Sequence, residues 1–251
     1  MTAIDNFTDT STALVAVNYT KGRTWPLPYS VDWSRVSDIP RAVQILDGRW
    51  TKTSDGLRTV SMGYDRLFAV GDVKWTDYEI TVPITIHSID SVASDNPTSV
   101  GPGFGLITHW RGHSFTPIHQ CQCSQPRCGW LPAGATGWYE YGGQEPGFHI
   151  QGVSTARGSM SWRLEFNTRY VWKMRSETLG KRQCCNYRIK FWKGGDPEPA
   201  KWDLEGFGAT DSLTSGSIVL DAHHVDATFG NISIIPGPFK GAASVAVDPD
   251  P

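Results

Sequence analysis

Residues Tyr170–Thr178 read YVWKMRSET and residues Asn186–Trp192 read NYRIKFW, and both alternate apolar and charged side chains at a period of two. In an extended chain that spacing turns Tyr170, Trp172 and Met174 to one side and Val171, Lys173, Arg175 and Glu177 to the other. The second segment repeats the pattern, with Tyr187, Ile189 and Phe191 inward and Arg188, Lys190 and Trp192 outward. The two therefore predict an antiparallel hairpin with one buried and one wet face. Its wet face gathers four cations, the carboxylate of Glu177 and an indole, a mixture suited to a polar, ring-shaped or anionic ligand.

Working outward, Tyr78–His87 (YEITVPITIH) alternates as cleanly, with Tyr78, Ile80, Val82, Ile84 and Ile86 on the core side. Pro83 within it predicts an edge position or a bulge, because proline cannot donate to a ladder. Further short strands are expected at Ala13–Asn18, Phe104–Trp110, Trp138–Tyr141, Phe148–Val153, Trp162–Phe166, Ser217–Ala222 and Val225–Ile235. Each is bounded by Gly, Pro or Asn, as an antiparallel meander requires. Residues Ser88–Gly101 and Lys193–Thr214 read as loops. The chain has 251 residues, 26 Gly, 16 Pro and 11 Trp, and almost no helical periodicity, so an all-β sandwich is expected.

A formal charge of −2 excludes electrostatic capture of nucleic acid, which needs a strongly basic surface. No apolar run approaches the ~18 residues of a membrane span. The first residues, MTAIDNFTDT, carry neither a basic stretch nor an apolar core of a leader. Three explanations stay open: residence inside the cell, release by lysis, or a leader already removed; an extracellular, cell-surface or virion setting is the expected one.

The order of segments WTDYEITVPITI, GFGLITHWRGH, GWYEY, YVWKMRSET, NYRIKFW, PAKWDL and HHVDATFGNISI resembles the concanavalin A-like lectin/glucanase superfamily, especially its laminin-G-like modules. The resemblance covers roughly residues 50–235. It implies an antiparallel jelly-roll β-sandwich with glycan bound on a concave face or its loop rim. One sandwich domain over 1–236, with a long irregular N-terminal excursion, and a C-terminal tail over 237–251 are expected. The resemblance also implies a structural calcium held by an Asp near the last strand, here Asp226, with an acidic residue near the N-terminus, here Asp5.

Fold does not fix activity, so the site must decide. A retaining glucanase of this superfamily carries Glu-x-Asp-x-x-Glu on one strand, which sets acid and nucleophile ~5 Å apart. None of the seven Glu residues has that spacing. A polysaccharide lyase needs only a cation for a uronate carboxylate and a base for the neighbouring proton. Lys173, Arg175, Arg188 and Lys190 could supply the first, and Tyr139, His149 or His113 the second. The expected function is a non-catalytic carbohydrate-binding module for a surface or matrix polysaccharide, with an anionic one in view. Its ligand set is Lys173, Arg175, Glu177, Arg188, Lys190, Trp192 and Trp130. A structural or decoration module of a larger assembly such as a virion, with other protein subunits as partners, and a lyase are the alternatives. A plainer reading of the hairpin is that its cations solvate a sheet and pair with Glu177, each pair contributing under ~1 kcal/mol.

Aromatic platforms for a sugar ring are Trp110, Trp130, Trp138, Tyr139, Trp192 and Trp202. Cys121, Cys123 and Cys128 in one loop and Cys184 and Cys185 in another read as two loop-stapling disulfides with one thiol left over. Free thiols, or a zinc or copper site completed by His109, His113 or His119, are the alternatives. In the doublet His223–His224, alternation sends one imidazole inward and one outward, which keeps them from sharing a metal.

Overall fold

The computed structural model describes residues 25–94, 101–112, 133–142, 146–158, 163–180, 184–209 and 212–239, together with the backbone of a paired β1 (Thr2–Ile4) and β2 (Thr10–Thr12). The strands that follow are β3 (Tyr29–Val31), β4 (Gln44–Ile45), β5 (Trp50–Lys52), β6 (Leu57–Thr59), β7 (Arg66–Val70), β8 (Tyr78–Ile89), β9 (Gly103–Trp110) and β10 (Thr136–Glu140). They continue as β11 (Gly147–Gln151), β12 (Thr155–Gly158), β13 (Arg169–Thr178), β14 (Cys185–Lys193), β15 (Leu204–Phe207), β16 (Ser217–His223), β17 (Val225–Phe229) and β18 (Ile232–Pro236). One sheet has six strands in the order β11-β10-β9-β16-β7-β4. The other has ten, along β12-β15-β14-β13-β8-β17-β6-β5, with β18 and β3 branching from β8.

The hairpin forms in the register that its periodicity predicts, with Trp172 opposite Phe191 and Met174 opposite Ile189. Tyr170, Trp172, Met174, Tyr187, Ile189 and Phe191 are all buried, as are Tyr78, Ile80, Val82, Ile84 and Ile86 of β8. These side chains meet Phe68, Phe104, Leu106, Tyr139 and Phe148 of the six-stranded sheet in one continuous core. Burying a large apolar side chain contributes ~1.5–3 kcal/mol, so the layer between the sheets is the main source of stability.

Several expectations change. The strand with Pro83 is not an edge: β8 lies between β13 on one side and β17 and β18 on the other. Proline is tolerated there because β18 pairs with Tyr78–Thr81 and β17 with Ile84–Ile89. A strand residue's N–H and C=O point to the same side, so the missing donor falls in the gap where the partners change. The Pro83 carbonyl still accepts the Gly230 N–H at 2.7 Å in that gap. For the same reason the segment expected as one strand over 225–235 is two, broken at Gly230–Asn231. Residues 163–166 form no strand, and the loop over 193–214 contains β15. The strand expected at 13–18 lies outside the described residues.

Candidate functional site

The outward face of the hairpin carries its cations as expected, but the neighbouring strands complete it with acids. Arg175 stands opposite Arg188, and Lys173 opposite Lys190, an arrangement that is destabilising by itself. The row continues through Glu79 of β8, opposite Arg175, and Glu205 of β15, opposite Arg188. Glu79 lies 3.1 Å from the Lys173 ammonium and 2.7 Å from the Arg175 guanidinium. Arg188 reaches Glu177 at 3.2 Å and Glu205 at 2.8 Å. Glu198 takes both lysines, at 2.7 Å from Lys173 and 3.0 Å from Lys190. Burial opposes ionisation of Glu198, but the hydrogen bonds from Lys173 and Lys190 outweigh it and hold its carboxyl below the usual range.

Four cations thus meet four carboxylates. Trp202 lies across them, 4.9 Å from the Arg175 guanidinium and 4.7 Å from the Lys190 ammonium, and Phe239 covers Arg175 at 4.1 Å. Lys190 is 7% exposed. Trp192 is half-buried on this face, and Trp130 lies outside the described residues. Tyr139, offered as a lyase base, sits in the core with its hydroxyl accepting the Leu164 N–H, away from these cations. His149 is on the other sheet, and His113 lies outside the described residues.

The other sheet's outward face is organised quite differently. Antiparallel sheets commonly leave one face in water. Here every residue of β9, β10 and β16 is buried, so both faces are covered. Part of the covering is apolar: Leu67, Ala69, Ile107, Trp110 and Val219 form a second cluster. Next to it, register aligns His149, Trp138, Gly105 and Asp221 across β11, β10, β9 and β16, and Glu140, Gly103 and His223 in the adjoining row. The glycines give the indole room to lie flat on the sheet. A Cβ at Gly105 would come within 2.9 Å of the Trp138 ring, and one at Gly103 within 2.7 Å.

Polar groups surround this indole. Glu140 accepts the Gly101 N–H at 2.9 Å and the Trp138 indole N–H at 3.3 Å. His223 Nδ1 is 2.6 Å from the Asp65 carboxylate. The expectation that His223 and His224 point apart is not met, because His224 has a left-handed backbone (φ 53°) that breaks the alternation. The two rings lie 4.6 Å apart, and half-exposed Tyr64 packs edge-on against His223 at 4.8 Å. Burial, reinforced by His223, pulls the His224 imidazole below its ordinary pKa.

Asp221 is 4% exposed and its Oδ1 has no hydrogen-bond partner. Burial first, then the carboxylates of Asp65 and Asp47, push its carboxyl well above the usual range. The native state therefore holds this proton more tightly than the unfolded chain, so the group costs stability as pH rises from 3.8 through its folded value. Asp221→Asn is expected to melt with the wild type below that range and above it at pH 8, by about 0.5–2 kcal/mol. Melting curves at pH 3.5 and pH 8 check this; a gap of equal size at both would refute it.

The metal and cysteine expectations change too. Both oxygens of Asp226 are taken by Arg58, at 2.9 and 2.6 Å. Asp226 is thus an ion-pair partner, its carboxyl held low first by the Arg58 hydrogen bond. Asp5 lies outside the described residues, among which no group of three or more His, Cys, Asp or Glu is placed to hold a metal. Cys184 and Cys185 bond to each other rather than stapling one loop to another, and Cys121, Cys123 and Cys128 lie outside the described residues. His109 is a core residue: its ring nitrogens lie 2.8 Å from the Leu213 carbonyl and 3.2 Å from that of Thr76, and burial lowers its pKa.

No protein-family model and no curated protein matches the chain. Among solved structures, the exoplasmic/lumenal domain of VIP36 in its Ca2+/Man3GlcNAc-bound form superimposes with a TM-score of 0.53 over 87% of this chain and 92% of that one, at 10% identity. Its Ca2+/Man2-bound form gives 0.52 over 84% and 89%, also at 10% identity. The fold is the concanavalin A-like jelly roll. Two antiparallel sheets around one core, with the hairpin central in the larger, are what the sequence resemblance implies.

Proposed function

We propose that this concanavalin A-like sandwich is a non-catalytic carbohydrate-binding module whose ligand lies along the β11 edge of the six-stranded sheet, beside the buried Trp138. The observation that carries the reading is half-buried His149, 3.0 Å from the exposed Gln151 amide and paired in register with the Trp138 indole that lies over Gly103 and Gly105. Imidazole and amide groups bond sugar hydroxyls, and the indole behind them supplies an apolar backing. Such a mixed set, fixed by a rigid sheet, is how small polar ligands are oriented. The VIP36 domain, described in complex with mannose-containing glycans, is a fold-level parallel.

The hairpin face supports this role less well, because its charges already have intramolecular partners. A ligand there would have to break those pairs. In this reading Lys173, Arg175, Arg188 and Lys190 brace the larger sheet.

Glycan-array screening followed by titration tests the proposal. His149→Ala and Gln151→Ala, at that open edge, are each expected to weaken the best ligand at least tenfold. Trp192→Ala, on the hairpin face, is expected to leave binding unchanged. Loss of binding on Trp192→Ala with none on His149→Ala would move the ligand to the hairpin. A domain silent on the array that assembles with itself or with a partner would favour the decoration-module reading.

A further inference from the structure

A cavity of ≈ 340 Å³ opens on the outward side of the ten-stranded sheet, around Thr85 and His87 of β8. Register places Arg169 of β13 on one side of Thr85 and Thr228 of β17 on the other, so a guanidinium and two hydroxyls share one row. Strand spacing makes that row about 10 Å wide. His87 is clamped beside it, with Nε2 2.8 Å from the Thr228 hydroxyl oxygen and Nδ1 3.0 Å from the Asn167 amide oxygen. An amide oxygen only accepts, so Nδ1 carries a proton and donates it to Asn167. Both remaining amide N–H donors of Asn167 are left for a ligand. Asn167 itself is fixed by a left-handed backbone (φ 57°) and by its N–H on the Ile86 carbonyl at 2.8 Å.

Arg169 shares a face with Lys173 and Arg175 but, among the described residues, has no carboxylate partner, whereas those two and Arg188 and Lys190 all do. Asp55 lines the cavity as well, and among the described residues its carboxylate meets only the Ser54 hydroxyl, at 3.4 Å. Between these poles the Pro83 ring packs against Gly230 and supplies an apolar wall. A planar anion suits the guanidinium, vicinal hydroxyls suit a lone carboxylate, and an aliphatic ring face suits the pyrrolidine. A uronic acid residue presents all three in one small molecule. The volume is at the low end of the range of ligand pockets, ~300–1,000 Å³.

We infer that this cavity binds a uronate residue, its carboxylate on Arg169 and its ring hydroxyls toward Asp55. The site lies on the opposite sheet from Trp138 and stands whether or not that sheet holds a glycan.

Histidine-ring 1H–15N NMR of the whole chain, titrated with glucuronate, is the test. A saturable shift of the His87 resonances is expected at millimolar concentration, with glucose and acetate each at least tenfold weaker. Arg169→Gln is expected to weaken glucuronate at least tenfold, and Asp55→Asn to weaken glucuronate without weakening acetate. Both positions are exposed, and unchanged melting temperatures confirm folding. Glucose matching glucuronate, acetate matching glucuronate, an unmoved His87 resonance, or an unaffected Arg169→Gln variant would each overturn the assignment.

Discussion

Trp172→Ala is expected to cost about 3–5 kcal/mol and to lower the melting temperature by roughly 10 °C or more. The indole is fully buried at the middle of the hairpin and contacts three rings from both sheets: Phe104 at 5.3 Å, Phe148 at 5.2 Å and Phe191 at 6.0 Å between centroids. A Cβ at Gly137 of the facing sheet would meet Ile189 Cδ1 at 2.6 Å and the Trp172 ring at 3.0 Å, so the two layers are in close contact here. Truncation therefore opens a cavity that the opposing strand, anchored on both sides by β9 and β11, cannot collapse to fill. Trp172→Phe separates volume from polarity. The indole N–H has no hydrogen-bond partner, so the phenyl ring loses some contact but also removes a buried orphan donor. It is expected to cost less than half as much as alanine. Urea midpoints of the two variants check both values, and equal losses would mean that packing around the ring is not what holds the layers together.

This core was legible because it depends on local alternation. Tyr170, Trp172 and Met174 face inward whichever strands flank them, and any one-residue slip would bury Lys173 and Arg175. The charge state of the opposite face depends on flanking strands instead. Glu79 and Glu205 reach Arg175 and Arg188 from β8 and β15, and no spacing within the hairpin reveals that. The Trp138 face is less legible still, since Glu140, Gly103 and His223 align only once β10, β9 and β16 have paired. One signal was present in the sequence: Gly103 and Gly105 alternate in GFGLITHW, which leaves one face of that strand bare for a neighbour's large ring. His224 escaped for a different reason. Alternation assumes extended backbone, and its positive φ voids the rule at the turn into β17.

The buried acid at the centre of the hairpin's charge array sets the second large effect. Glu79→Ala is expected to destabilise by about 3–5 kcal/mol, because it leaves Arg175 without a carboxylate partner among the described residues and Lys173 with Glu198 alone, in a poorly solvated place. The Glu79 side chain is 5% exposed and those of Lys173 and Arg175 are 14% and 18% exposed, so water replaces the lost partner poorly. Removal also uncovers the repulsion of Arg175 with Arg188 across the hairpin, whereas Glu198 still bridges Lys173 and Lys190. The contrast is Lys193–Glu165, a pair with side chains 56% and 69% exposed, where Lys193→Ala is expected to change stability by less than about 0.5 kcal/mol. Glu79 also tests whether the array is a unit. If the charges matter chiefly to one another, the triple variant Glu79→Leu, Lys173→Met, Arg175→Leu should recover much of the loss of Glu79→Ala, as replacing a whole buried ion cluster by apolar groups commonly does. A Glu79→Ala variant within about 1 kcal/mol of wild type would show instead that solvent reaches these cations freely, and would return the hairpin face to contention as an open, ligand-accessible surface.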